Sequence, residues 1–80
     1  MNQTQLTTRS WWLAGQLRSE AQRWSGKQRS ELIHASLQLA YQARTRAQAP
    51  EVAAALIEAA TSLLVTAMSA RAFLMESSHG

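Results

Sequence analysis

The sequence predicts an all-α protein, a small helical bundle, and three observations carry that prediction. Apolar residues recur at steps of three and four along most of the chain. No run of alternating polar and apolar residues is present, and β-branched residues are few. The two stretches that interrupt the helical rhythm, Ser25-Gly26 and Ala49-Pro50, divide the 80 residues into three helical segments of one domain. The expected architecture is a long hairpin of the second and third helices with a shorter N-terminal helix laid across it, dimerised into a larger bundle.

Residues 1–6 are polar and are expected to fray. Thr7 or Thr8 then caps a first helix that runs to about Trp24, with an apolar stripe of Leu13, Leu17, Ala21 and Trp24. Gly26 accepts the left-handed backbone that ends helices, so Ser25-Gly26 closes it. Ser25 or Ser30 caps a second helix running to about Gln48. Its apolar arc is Leu32, Ile33, Leu37, Leu39, Ala40, Ala43 and Ala47, and its opposite face is Lys27, Glu31, His34, Gln38, Gln42 and Thr45. Arg44 falls inside the apolar arc, where either its stem packs and its head reaches water or it meets an acidic partner.

Proline disfavours helix at the residue before it, so Ala49-Pro50 stops the second helix, while Pro50 suits the first turn of a third. That third segment is rich in alanine and leucine and holds no charge between Glu58 and Arg71. It carries two apolar stripes. Leu56, Ala60, Leu63, Ala67, Ala70 and Leu74 alternate steps of four and three, the spacing of a helix–helix seam. Ile57, Leu64, Met68 and Met75 form the other. One stripe can be covered within the chain, and the other calls for a further helix. Residues 77–80 read as a tail.

The composition points the same way. Fifteen of the hydrophobic residues are alanine and there is no cysteine. So small a chain has neither disulfide nor metal cluster to reinforce a thin core, which makes oligomerisation the expected reinforcement. The start of the chain lacks the basic-then-apolar order of a secretory signal. The uncharged run between Glu58 and Arg71 is shorter than the ~20 apolar residues of a spanning helix. A cytoplasmic protein with no membrane span is expected. The net charge of +3 is uneven: residues 1–46 hold seven basic residues against Glu20 and Glu31, and residues 47–80 hold Arg71 against Glu51, Glu58 and Glu76. A basic front half suits an acidic partner surface, or nucleic acid as the lesser alternative.

No catalytic, cofactor or metal motif stands out. The sequence has no aspartate to orient a catalytic histidine, and the serines have no recognisable base beside them. Arg29 and His34 are similar in order to the arginine-spacer-histidine pattern of HEPN ribonucleases, but five positions on a helix set them about 140° apart. Trp24-Ser25-Gly26 resembles the W-x-G turn of the small exported helical hairpins named for that motif. The resemblance implies an export-linked hairpin. The chain departs from it where Pro50 interrupts the second long helix and where Tyr41 lacks an acidic residue four positions on.

The reading that follows is a non-enzymatic interaction module, an adaptor, co-chaperone or inhibitor that presents an apolar helical surface to a protein partner. Leu56, Ala60, Leu63, Ala67 and Leu74 are the expected self-association residues. Trp11, Trp12 and Arg18 are the expected partner-binding residues, because tryptophan and arginine dominate interface hot spots. A small basic nucleic-acid regulator, through Arg23, Lys27, Arg29, Arg44 and Arg46, is the alternative.

Overall fold

The computed structural model describes residues 2–46 and 48–77, which form three helices and no strand among the described residues. They are α1 (Gln3–Ala21), α2 (Gly26–Thr45) and α3 (Pro50–Ser77). Helix α1 packs on the hairpin of α2 and α3, so the expected all-α bundle is the observed fold. The closest pairing is between α1 and α2, and α2 and α3 touch each other least.

The first helix starts five residues earlier than expected. Asn2 is the N-cap: its Oδ1 accepts from the Gln5 backbone N–H at 2.8 Å, and the Asn2 N–H donates to Gln5 Oε1 at 3.0 Å. This reciprocal capping box satisfies two helix-end donors. Residues 2–6 are therefore helix and helix cap rather than a frayed end, and Leu6 is buried in the core. At the other end α1 stops at Ala21, and the Arg23 and Trp24 N–H groups close a turn onto the Glu20 and Ala21 carbonyls. Gly26 follows with φ of 63°, as a glycine at this break should. Ser25 is the N-cap of α2 by backbone geometry, although its side chain makes no cap bond.

Helix α2 ends at Thr45, three residues short of the expected Gln48. Arg46 takes the left-handed conformation, φ 52°, and its N–H closes onto the Gln42 carbonyl. That position usually belongs to glycine. Pro50 opens α3, and Ala53 N–H bonds the Ala49 carbonyl across the first turn. Ser77 is helical rather than tail, and residues 78–80 lie outside the described residues.

The core is one cluster. Leu13, Leu17, Leu32 and Leu39 are its most deeply buried members, with Ala53, Ile57, Ala60 and Leu64 entering from α3. The buried line of α2 is Leu32, Ala35, Ser36, Leu39, Gln42 and Ala43. This corrects the expected arc: Ile33 and Leu37 face water, while Gln42, assigned to the polar face, is buried. Arg44 is exposed, and Ala47 lies outside the described residues. Buried polar groups set the helix register. Ser36 Oγ donates to the Ala14 carbonyl at 2.9 Å, and Gln42 Nε2 donates to Ser10 Oγ at 3.1 Å and to the Ala53 carbonyl at 3.3 Å.

Candidate protein-interaction surface

The arrangement of the helices leaves α3 incompletely covered. It has 28 residues against 19 and 20 in α1 and α2, and at ~1.5 Å per residue it outruns both. Four of its side chains are buried, at positions 53, 57, 60 and 64, which sit within about 60° of one another on the helix. Everything else apolar on this helix is half-buried or open. Val52, Val65, Met68, Phe73, Leu74 and Met75 each expose about half or more of their surface.

A helix pair with few mutual contacts diverges into a trough, and that is what separates α2 from α3. Two adjoining hollows of about 420 and 340 Å³ run along it and share Glu31 and Leu63. The α3 wall is Leu56, Ala59, Leu63, Thr66, Ala70 and Phe73, again steps of three and four. The α2 wall is Gln28, Glu31, His34 and Gln38, with Leu32 and Ala35 beneath and Trp24 at one end. The surface is mostly apolar, and its α2 carboxylate, Glu31, lies 3.9 Å from Lys27. Among the described residues, a larger hollow beside Trp12 is lined by side chains of α1 alone.

One end of the trough is fixed by a buried carboxylate. Glu20, 3 % exposed, accepts from Arg71 Nε at 2.7 Å, from Arg71 Nη2 at 3.1 Å and from the Trp24 indole N–H at 3.0 Å. Arg23 adds a longer contact at 3.7 Å. The Arg71 hydrogen bonds hold the Glu20 carboxyl below its ordinary value against the opposing effect of burial, and the Trp24 bond adds to them. Glu20 in turn raises Arg71. The cluster is an ion pair between helices.

The sequence-predicted residues fall into separate places. Of the five expected to self-associate, Ala60 is buried inside the chain's own core. Leu56, Leu63 and Ala67 are half-buried on the trough's floor and wall, and Leu74 is exposed. The expected seam thus runs along the border between core and trough, and the trough wall shares Leu56, Leu63 and Ala70 with it and adds Ala59, Thr66 and Phe73. Of the second stripe, Ile57 and Leu64 join the core and Met68 and Met75 stay open. Trp11, 48 % exposed, and Arg18 lie seven residues apart on one side of α1. Trp12, 61 % exposed, lies about 100° round the helix from Trp11. Trp24 is the tryptophan that packs against the core.

Sequence reasoning missed Glu20, Arg71 and Gln42. Each had a signal: an ionisable or amide residue placed on the apolar line of its helix, seven after Leu13, seven after Leu64 and three after Leu39. No group of three His, Cys, Asp or Glu side chains able to hold a metal occurs among the described residues. The basic residues of the nucleic-acid reading are dispersed: Arg23 and Lys27 face Glu20 and Glu31, and the break at Gly26 keeps Arg9 and Lys27 off a common helix face. By length and composition, α3 is long and apolar enough to cross a membrane, because Glu58 and Arg71 near the ends of the run do not exclude a span. The expected absence of a span is therefore not confirmed, although the core helix of a soluble protein meets the same criterion. Comparison with known protein families, curated proteins and solved structures finds no match to this chain.

Proposed function

We propose that this chain is a non-enzymatic helical interaction module whose working surface is the α2–α3 trough and the apolar end of α3 beyond it. One observation carries the reading: an apolar trough lies between two helices that are both anchored to a third. A fourth amphipathic helix laid there completes a four-helix bundle and covers the row from Leu56 to Phe73, which is the helix-in-groove mode of recognition. Such a helix comes from a protein partner or from a second copy of the chain. The α1 side that carries Trp11 and Arg18 supplies a separate polar-aromatic contact for an external partner.

A water-soluble bundle is supported over a membrane span by the same anchoring. Withdrawing α3 into a bilayer takes Ala53, Ile57, Ala60 and Leu64 out of the core and strips Arg71 from Glu20. The test is capture from the native host with the wild-type chain and with Ala59→Glu/Ala70→Glu, two exposed trough positions. A partner retained by the wild type and lost by the variant, with the melting curve unchanged, supports the reading. Equal retention by both, or co-flotation of the wild type with vesicles, overturns it.

A further inference from the structure

We infer that the outer groove of the α1–α2 pair, on the side away from α3, is a second docking surface that takes an acidic amphipathic helix of a partner protein. This takes up the Trp11–Arg18 contact proposed above, adds the α2 residues that complete it and names the chemistry of its occupant.

Register and rotation place the residues. Ser36 bonds to the Ala14 carbonyl and Gln42 to Ser10, so α1 and α2 run antiparallel. Arg18 then stands level with Ile33, and Trp11 falls between Leu37 and Arg44. At about 100° per residue, Arg29, Ile33, Leu37 and Arg44 lie within roughly 80° of one another on α2, just beyond the Ser36 line that meets α1. Trp11 and Arg18 lie within roughly 20° on α1, beyond Ala14 and away from Glu20. Both sets border the same groove. Along it the order is Arg29, Ile33 with Arg18, Leu37, Trp11 and Arg44, and all six side chains are exposed.

Charge identifies the occupant. Arg18, Arg29 and Arg44 make no salt bridge among the described residues, whereas Arg23, Lys27 and Arg71 do. The glutamates lie elsewhere. Glu20 is turned to Arg71, Glu31 lines the trough on the opposite side of α2, and Glu51, Glu58 and Glu76 belong to α3. The groove is therefore an apolar strip of Trp11, Ile33 and Leu37 bracketed by arginines that have no carboxylate. The complement is a helix with an apolar stripe and carboxylates on its flanks, for which tryptophan and arginine are the usual anchors. From Arg29 to Arg44 the strip is about 22 Å long at ~1.5 Å per residue, four turns of such a helix. Duplex DNA is a poorer match. It carries one charge per ~1.7 Å, roughly 13 over this length, against three arginines, and it leaves the apolar strip without a contact. A bilayer is flat, and two helices side by side leave a groove that a third cylinder fills.

The test is an NMR titration of the full chain with three probes. They are a peptide of about 18 residues, five turns, with a leucine stripe flanked by glutamates; a DNA duplex of arbitrary sequence; and vesicles containing phosphatidylserine. The peptide should move the Trp11 indole signal and the Arg18, Ile33 and Leu37 amides saturably. Arg29→Glu/Arg44→Glu should weaken it by about tenfold or more, since both attractions become repulsions. Leu37→Glu should weaken it similarly by setting a carboxylate in the strip. All three positions are exposed, so the melts should stay as in the wild type. The trough variant Ala59→Glu/Ala70→Glu should bind the peptide unchanged, which separates this surface from the trough. Absence of saturable shifts, shifts confined to the trough, or equal binding by Arg29→Glu/Arg44→Glu overturns the inference. Stronger shifts of the groove signals by the duplex or the vesicles than by the peptide also overturn it.

Discussion

Glu20 and Arg71, separated by 51 positions in the chain, meet through two hydrogen bonds of 2.7 and 3.1 Å. The pair joins the last turn of α1 to the far half of α3, beyond the last buried α3 residue, Leu64. Burial of a carboxylate is unfavourable unless paired, so the pair fixes the rotation of α3 about its own axis more than it adds stability. Turning α3 by one residue carries Arg71 about 100° away from Glu20.

The pair makes stability depend on acid. Its folded-state value being lowered, Glu20 contributes stability that is complete above its ordinary value of 4.5 and is lost as pH falls through the lowered one. The melting temperature should therefore drop between about pH 4.5 and the more acidic range, in addition to the effect of the other carboxylates. In Glu20→Gln that extra acid dependence disappears. Arg71→Met should destabilise more than Glu20→Gln, because it leaves a buried carboxylate without its bidentate partner, held by the Trp24 bond and the longer Arg23 contact. Equal pH profiles for wild type and Glu20→Gln would show that the carboxylate is solvated.

The Ser10–Gln42 bond lies in the core, and its network is incomplete: Thr7 Oγ1 and Gln42 Oε1 have no hydrogen-bond partner among the described residues. Gln42→Ala should cost about 1–3 kcal/mol, since it strands Ser10 and removes packing. The double change Ser10→Ala/Gln42→Leu removes both polar groups and should be close to neutral or stabilising. Urea titration of wild type and the two variants checks the order.

Backbone conformation supplies changes of opposite kind. Gly15 sits inside α1, and a methyl group added on its Cα meets nothing within 4 Å. Gly15→Ala should stabilise by about 0.5–1 kcal/mol through helix propensity. Arg46→Gly should stabilise by up to about 1 kcal/mol by relieving the left-handed strain at φ 52°. Gly26→Ala should destabilise by a similar ~1 kcal/mol, because its φ of 63° is strained for any Cβ. Thermal melts of all three decide the signs.

Neighbouring alanines on α3 should behave differently. Ala60 is buried against the core, so Ala60→Leu overpacks it and should cost about 1–3 kcal/mol at every protein concentration. Ala59 is exposed in the trough wall, so Ala59→Leu should leave the melt of the isolated chain nearly unchanged and alter only association. A concentration-dependent melt for Ala60→Leu would place that residue in an intermolecular seam instead.

Much of the architecture was legible because its signals are local. Ser25-Gly26 and Ala49-Pro50 mark the breaks through backbone sterics that act within a residue or two, and the three helices follow between them. The N-terminal start was also legible in principle: Asn2 and Gln5 are spaced as a capping box, and Leu6 stands one turn before Ser10 and two turns before Leu13. The two threonines at positions 7 and 8 are also good caps on propensity alone, and the Asn2–Gln5 capping box together with the burial of Leu6 favours the earlier start.

The apolar faces were another matter. Helix α3 is apolar around most of its circumference, so its sequence permits several rotations with nearly equal burial. The same ambiguity put Ile33 and Leu37 of α2 inside when Ala35, Ser36 and Gln42 are the buried residues. By itself the sequence determined three helices, their order and their breaks, and the surplus of apolar surface on the last of them. Which stripe of α3 enters the core and which lines the trough was decided by the tertiary structure. The choice depends on Glu20 meeting Arg71 and on Gln42 reaching Ser10 and the Ala53 carbonyl, contacts between residues far apart in the chain that no local preference encodes.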